Sequence, residues 1–149
     1  MNVTRLLAGN PRKSVLVTSG TVGEGKTTIA ANLAMAYAQA GKKVILLDAD
    51  FYKPGLQTYL NLKDQKGLSD ILAEDFDWRE VAQESHGVII ITSGHRSETT
   101  AARFESEAMT QLLKHLQEET DVIIIDGPPL LLVDSQALSA QVGGVLLVI

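Results

Sequence analysis

Residues 14–29 read SVLVTSGTVGEGKTTI, and the chain is organised around the ten from Ser19 to Thr28, SGTVGEGKTT. Three glycines, one lysine and two adjacent threonines stand between an apolar run, Val15-Leu16-Val17, and an alanine-rich run that begins at Ile29. Gly20 to Thr27 fits G-x-x-x-x-G-K-[ST]. Glycines let a backbone curl until successive N–H groups point inward, which suits phosphate oxygens. A helix starting near Lys26 adds its positive N-terminal end. Gly20, Thr21, Val22, Gly23, Glu24 and Gly25 are therefore expected to line a phosphate cradle. Lys26 can reach β- and γ-phosphates, the Thr27 hydroxyl can ligate a magnesium ion, and Thr28 can donate to a phosphate oxygen.

Outward from this loop, short apolar runs alternate with segments of helical period. Strands are expected at Val15–Thr18, Val44–Leu47, Val88–Thr92, Val122–Ile125 and Val145–Ile149. A helix is expected over Thr27–Ala40, with Ile29, Leu33, Ala36 and Ala40 on one face and Gly41 as its stop. Short helices are expected at Leu68–Ala73, near Trp78–Ala82 and at Asp134–Ala140. A longer helix over Glu107–Glu118 carries Met109, Leu112, Leu113 and Leu116 at helical spacing. Unbroken Val/Ile/Leu runs suit strands buried on both faces. Strands alternating with helices predict a three-layer α/β fold with a mostly parallel central sheet, here the P-loop NTPase fold. Residues 1–149 read as one domain, and a terminal apolar strand suggests a domain that continues further toward its C-terminus.

Two acidic strand ends complete the constellation. In VILLDAD (residues 44–50), Asp48 and Asp50 stand where open α/β sheets bind ligands. Such carboxylates can ligate water on a metal or accept a proton from a nucleophile. In VIIIDGPP (residues 122–129), four apolar residues and then Asp126 form the Walker B pattern, whose carboxylate holds magnesium. Gly127-Pro128-Pro129 then makes a bend that can respond to the γ-phosphate.

The composition narrows the classes of function. There are 149 residues, 45% hydrophobic and 21% charged, as in a soluble globular domain. The absence of cysteine excludes disulfides and thiolate metal sites. A net charge of −5 argues against nonspecific nucleic-acid binding. No apolar run approaches the ~18 residues of a membrane span. The lack of cysteine is compatible with the cytoplasm, the expected location, with any membrane association through a partner or a missing segment. His86, His95 and His115 are far apart and read as surface residues. Trp78 reads as a packing residue, and Arg96 and Arg103 lie in a polar loop.

Together these segments resemble the cytoplasmic kinase domain of bacterial tyrosine kinases, the P-loop enzymes of capsule and exopolysaccharide production. The resemblance rests on KSVLVTSGTVGEGKTTIAANLAMAYAQAGKKVILLDADFYKPGL, GLSDIL and DVIIIDGPPLLLVDSQAL, in that order. It implies ATP and magnesium as cofactors, with transfer of the γ-phosphate to protein tyrosine. Lys26 and Thr27 would hold phosphate and magnesium, and Asp126 magnesium. Asp48 and Asp50 would shape the magnesium environment and activate the tyrosine hydroxyl. A membrane-bound activator and a homo-oligomer of the longer protein are implied partners, and ATP over GTP rests on the resemblance alone. There are departures: Tyr52 stands where the family usually has arginine, Val22 where proline is frequent, and Gly127 where threonine or serine is common. The family's N-terminal oligomerisation helix and C-terminal tyrosine cluster are not in these residues; the only tyrosines are Tyr37, Tyr52 and Tyr59.

Two other readings share the motifs. A switch ATPase resembling the plasmid-partition and division-site proteins would hydrolyse ATP without a protein acceptor. Those proteins typically carry lysine directly after the first glycine, where this chain has Thr21. A nucleotide-binding regulator of polysaccharide export, without transfer activity, is the third.

Overall fold

The structure is a computed structural model describing residues 13–20, 25–74, 77–95, 106–129, 136 and 138–148. The described elements, in chain order, are β1 (Ser14–Ser19), α1 (Lys26–Gln39), β2 (Val44–Asp48), α2 (Leu56–Tyr59), α3 (Leu68–Glu74), α4 (Trp78–Val81), β3 (Gln83–Ser85), β4 (Val88–Ile91), α5 (Glu107–Glu119), β5 (Val122–Asp126) and β6 (Gly144–Val148). The strands form one sheet in the order β3-β4-β2-β5-β1-β6. All neighbours are parallel except β3 with β4. This is the expected mostly parallel sheet.

Side-chain alternation splits the core into two layers. On one face, Leu16, Ile45, Leu47, Ile91, Ile123 and Ile125 pack with residues of α3, α4 and α5. On the other, Val15, Val17, Leu46, Ile90, Val122 and Ile124 pack against α1 and Leu56. Strands β1, β2 and β5 are buried along their whole length, which is why their sequences are apolar without alternation.

Helix α5 is as expected: Met109, Leu112, Leu113 and Leu116 are its buried residues, and the Ser106 hydroxyl accepts the Met109 N–H as its cap. Helix α1 is correctly placed, but its buried face differs from the expectation. Ala30, Ala31 and Ala34 face the sheet, whereas Ile29 is 39% exposed and Ala36 and Ala40 are exposed. Small side chains let the helix lie close on the sheet, so the larger residues are displaced to its flanks. Gly41, with φ of 86°, ends the helix in the left-handed conformation. Two elements were not expected. The four-residue α2 follows Pro54-Gly55, and β3 is a short polar strand whose pairing with β4 comes from the Ser85-His86-Gly87-Val88 turn. Of the expected helix at Asp134–Ala140, Gln136, Leu138 and Ser139 are helical, while residues 134, 135 and 137 lie outside the described set. His86, His95 and His115 are exposed and Trp78 is buried, as expected; Arg96 and Arg103 lie outside the described residues.

The α3 segment is fastened to the end of β4 by backbone contact. Leu68 N–H donates to the Thr92 carbonyl at 2.8 Å and Ser69 N–H to the Ser93 carbonyl at 2.9 Å. The Asp70 carboxylate accepts the Gly67 N–H at 2.9 Å. A Cβ on Gly67 would stand 2.2 Å from the Thr92 carbonyl oxygen, so only glycine allows this crossing.

Candidate nucleotide site

The carboxyl ends of β1, β5 and β2 lie side by side, and parallel register does the positioning. Asp126 is level with Val17 of β1 and with Asp48 of β2. Asp126 and Asp48 share the phase of Ile124 and Leu46, so both side chains leave the sheet on the α1 face. Gly25 adopts φ of 77° and starts α1, and its carbonyl accepts the Ile29 N–H at 3.1 Å. A side chain at that φ would be strained, which accounts for the second glycine of the motif. Residues 21–24, four of the six expected cradle positions, lie outside the described residues; Gly20 and Gly25 flank them.

Lys26 is the centre of the cluster and is buried. Its Nζ donates to Asp126 Oδ1 at 2.7 Å and to Asp50 Oδ2 at 3.1 Å. The Thr27 hydroxyl donates to the other Asp126 oxygen at 2.8 Å. Thr28 is exposed. Residues about a hundred positions apart in the chain are thus in direct contact, which brings Lys26, Thr27 and Asp126 into one cluster.

Asp50 and Asp48 differ in what they hold. Asp50 pairs with Lys26 through one oxygen and accepts the Tyr52 and Lys53 N–H groups, each at 3.1 Å, through the other. Asp48 is turned to backbone: Oδ1 accepts the Asp50 N–H at 3.0 Å, and Oδ2 accepts the Gly55 and Leu56 N–H groups at 3.2 and 3.3 Å. It thereby anchors the start of α2. Gly55 backs directly onto Thr27, where a Cβ would stand 2.8 Å from the Thr27 hydroxyl oxygen. Gly55 and the Leu56 amide are site residues that pattern reading missed; the Pro54-Gly55 turn just after the acidic pair was the available signal.

The bend after β5 is equally constrained. Thr18 Oγ1 donates to the Pro128 carbonyl at 2.7 Å, and the Gly127 N–H donates to the Val17 carbonyl at 2.9 Å. A Cβ on Gly127 would come within 2.4 Å of Leu16 Cδ1, so in this chain the packing of Leu16 favours glycine where threonine or serine was noted as common.

Burial and charge set the protonation of the group. Burial opposes the Lys26 ammonium, but Asp126 and then Asp50 outweigh it and hold its pKa above the ordinary lysine value. Burial, followed by repulsion from Asp126, pushes Asp48 up to about 7, against the pull of its backbone N–H donors. Burial raises Asp126 as well, opposed by Lys26 and Thr27. With an ammonium 2.7 Å away, Lys26 and Asp126 form an ion pair with the proton on lysine. The donor set suits magnesium nucleotide: a buried ammonium and a helix N-terminus for phosphates, and a hydroxyl beside hard carboxylate oxygens for the metal.

Comparison with known proteins gives the family. The ParA family profile, described as NUBPL iron-transfer P-loop NTPase, matches residues 10–136. The tyrosine-protein kinase YwqD of Bacillus subtilis is 39% identical over 140 residues, covering 92% of this chain and 59% of that protein. The kinase domain of the Escherichia coli tyrosine kinase ETK superposes with a TM-score of 0.91 at 28% identity, covering 98% of this chain and 60% of the other. The cell division ATPase MinD of Pyrococcus furiosus superposes with a TM-score of 0.77 at 26% identity, covering 91% and 58%. The chain thus spans about three-fifths of the YwqD relative and less than a fifth of a longer one, the putative tyrosine-protein kinase EpsB of Ralstonia nicotianae. With a Walker A lysine and threonine closed onto a Walker B aspartate, and a family match over most of its length, the chain belongs to the ParA family of P-loop NTPases and counts bacterial tyrosine-protein kinases among its homologues.

Proposed function

We propose that the chain binds ATP with magnesium and transfers the γ-phosphate to a protein tyrosine, within capsule or exopolysaccharide production. The observation that carries the nucleotide part is the buried contact of Lys26 and Thr27 with Asp126. The kinase part is supported by the likeness to tyrosine-protein kinases, which exceeds that to MinD in structural agreement. Thr21 in place of lysine agrees with it.

In this reading Thr27 and Asp126 hold the magnesium ion, and Lys26 binds and orients the β- and γ-phosphates. ATP supplies the phosphoryl group and its leaving group. Asp50, fixed by the Tyr52 and Lys53 amides, accepts the proton of the tyrosine hydroxyl. Asp48 belongs to the magnesium environment chiefly by holding α2 against Thr27. Tyr52, where arginine is usual, is 52% exposed and brings no charge to the site. A membrane-bound activator, self-association of the longer protein and a cytoplasmic location belong to the same proposal. Among the described residues no helix is long and apolar enough to cross a membrane.

Labelled ATP tests the reading. Phosphotyrosine should form on an added tyrosine-rich peptide and be lost in Lys26→Met by ~100-fold or more. Free phosphate without phosphotyrosine would instead indicate a switch ATPase, and nucleotide binding without either product a regulator.

A further inference from the structure

The carboxylates Asp48, Asp50 and Asp126 are all buried at one sheet edge, 1%, 4% and 0% exposed. Among the described residues, the one cation that forms a salt bridge with any of them is Lys26. Asp48 turns both its oxygens to three backbone N–H groups. Asp50 and Asp126 must therefore share one ammonium, since a buried charge without a partner is costly. Each carboxylate oxygen of Asp126 and Asp50 already accepts at least one hydrogen bond. On Asp126, Oδ1 holds Lys26 and Oδ2 holds Thr27; on Asp50, Oδ2 holds Lys26 and Oδ1 holds two amides.

We propose that Lys26 is the internal counter-ion of this acidic pocket, and that a divalent cation enters beside Asp126 only when nucleotide phosphates draw the ammonium away. The inference rests on the reading of Thr27 and Asp126 as metal-holding residues. A metal ion arriving alone must displace an ammonium from two carboxylates and leave that ammonium buried and unpaired. A nucleotide offers the ammonium new anionic oxygens, so the lysine changes partners and the metal inherits the carboxylates. Nucleotide and metal affinity are then coupled through one side chain, and the coupling is reciprocal. When nucleotide leaves, Lys26 returns to the two carboxylates it shares.

The test uses manganese as the probe on the nucleotide-free chain, with free ion followed by electron paramagnetic resonance. The wild type should show no tight site. Lys26→Met should gain one, stronger by about tenfold or more, and Asp126→Asn in that background should remove it. Thermal melting confirms that each variant is folded, and Lys26→Gln replaces Lys26→Met if the latter is not. The inference is overturned if a folded Lys26 variant binds manganese no better than the wild type. It is equally overturned if the nucleotide-free wild type binds manganese tightly at a site that Asp126→Asn removes. Binding of fluorescent ADP to the wild type in magnesium is measured alongside. If ADP binds but metal affinity ignores Lys26, the counter-ion inference alone fails; if ADP does not bind, the nucleotide reading fails with it.

Discussion

At the scale of the residue, the same side-chain type does three different jobs within one cluster. Asp126 holds the lysine and threonine of the loop, Asp50 shares the lysine, and Asp48 ties down the α2 backbone. Asp48 has a measurable signature. Its folded pKa, about 7, lies above the ordinary 3.8. The folded state therefore binds this proton more tightly than the unfolded chain. The resulting stability is present below pH 4 and is lost as pH rises through 7. Nucleotide-free thermal melts should show Asp48→Asn gaining on the wild type between pH 5 and pH 8; a gap that does not change with pH would refute the assignment. Thr27→Ala removes a hydroxyl bonded to Asp126 at 2.8 Å. Magnesium should then strengthen nucleotide binding less, by ~10-fold or more, while affinity in chelator stays near that of the wild type.

At the scale of the element, the parallel strands deliver the chemistry and the helix packing refines it. The apolar runs ending in Asp48 and Asp126 were legible because a strand buried on both faces leaves an unbroken pattern and a polar terminus. The amphipathic α5 was legible for a similar reason, its Met109, Leu112, Leu113 and Leu116 recurring at helical period. Helix α1 was legible in extent but not in orientation, because alanine can serve either face and only contact with the sheet selects Ala30, Ala31 and Ala34. Strand β3 was not legible at all: Gln83, Glu84 and Ser85 carry no apolar alternation, and their pairing is set by the neighbouring β4. The crossing of α3 over the end of β4 is tested by Gly67→Ala. A Cβ 2.2 Å from the Thr92 carbonyl cannot be accommodated by a side-chain rotation. Chemical denaturation should show a loss of about 2 kcal/mol or more.

At the scale of the whole molecule, the site exists only as the meeting point of distant segments, so binding should stabilise the folded state globally. Magnesium ADP at 100 times its dissociation constant contributes about 2.7 kcal/mol. For a chain of this size the melting temperature should rise by roughly 5–10 °C. Lys26→Met should remove that shift, and it should also lower the melting temperature of the unliganded protein, because the buried Asp50 and Asp126 lose the ammonium they share. Sequence by itself determined the α/β class, the strand ends that carry Asp48 and Asp126, and the choice of Lys26 and Thr27 as the residues proposed for phosphate and metal. These follow from local pattern: run length, period, and glycine spacing that backbone geometry demands. Only the tertiary structure decided that Lys26 bridges Asp50 and Asp126, that Asp48 faces backbone, and that Gly55 stands behind Thr27. Those facts depend on the register of β2 with β5 and on how closely α2 approaches α1, and long-range packing alone sets such distances.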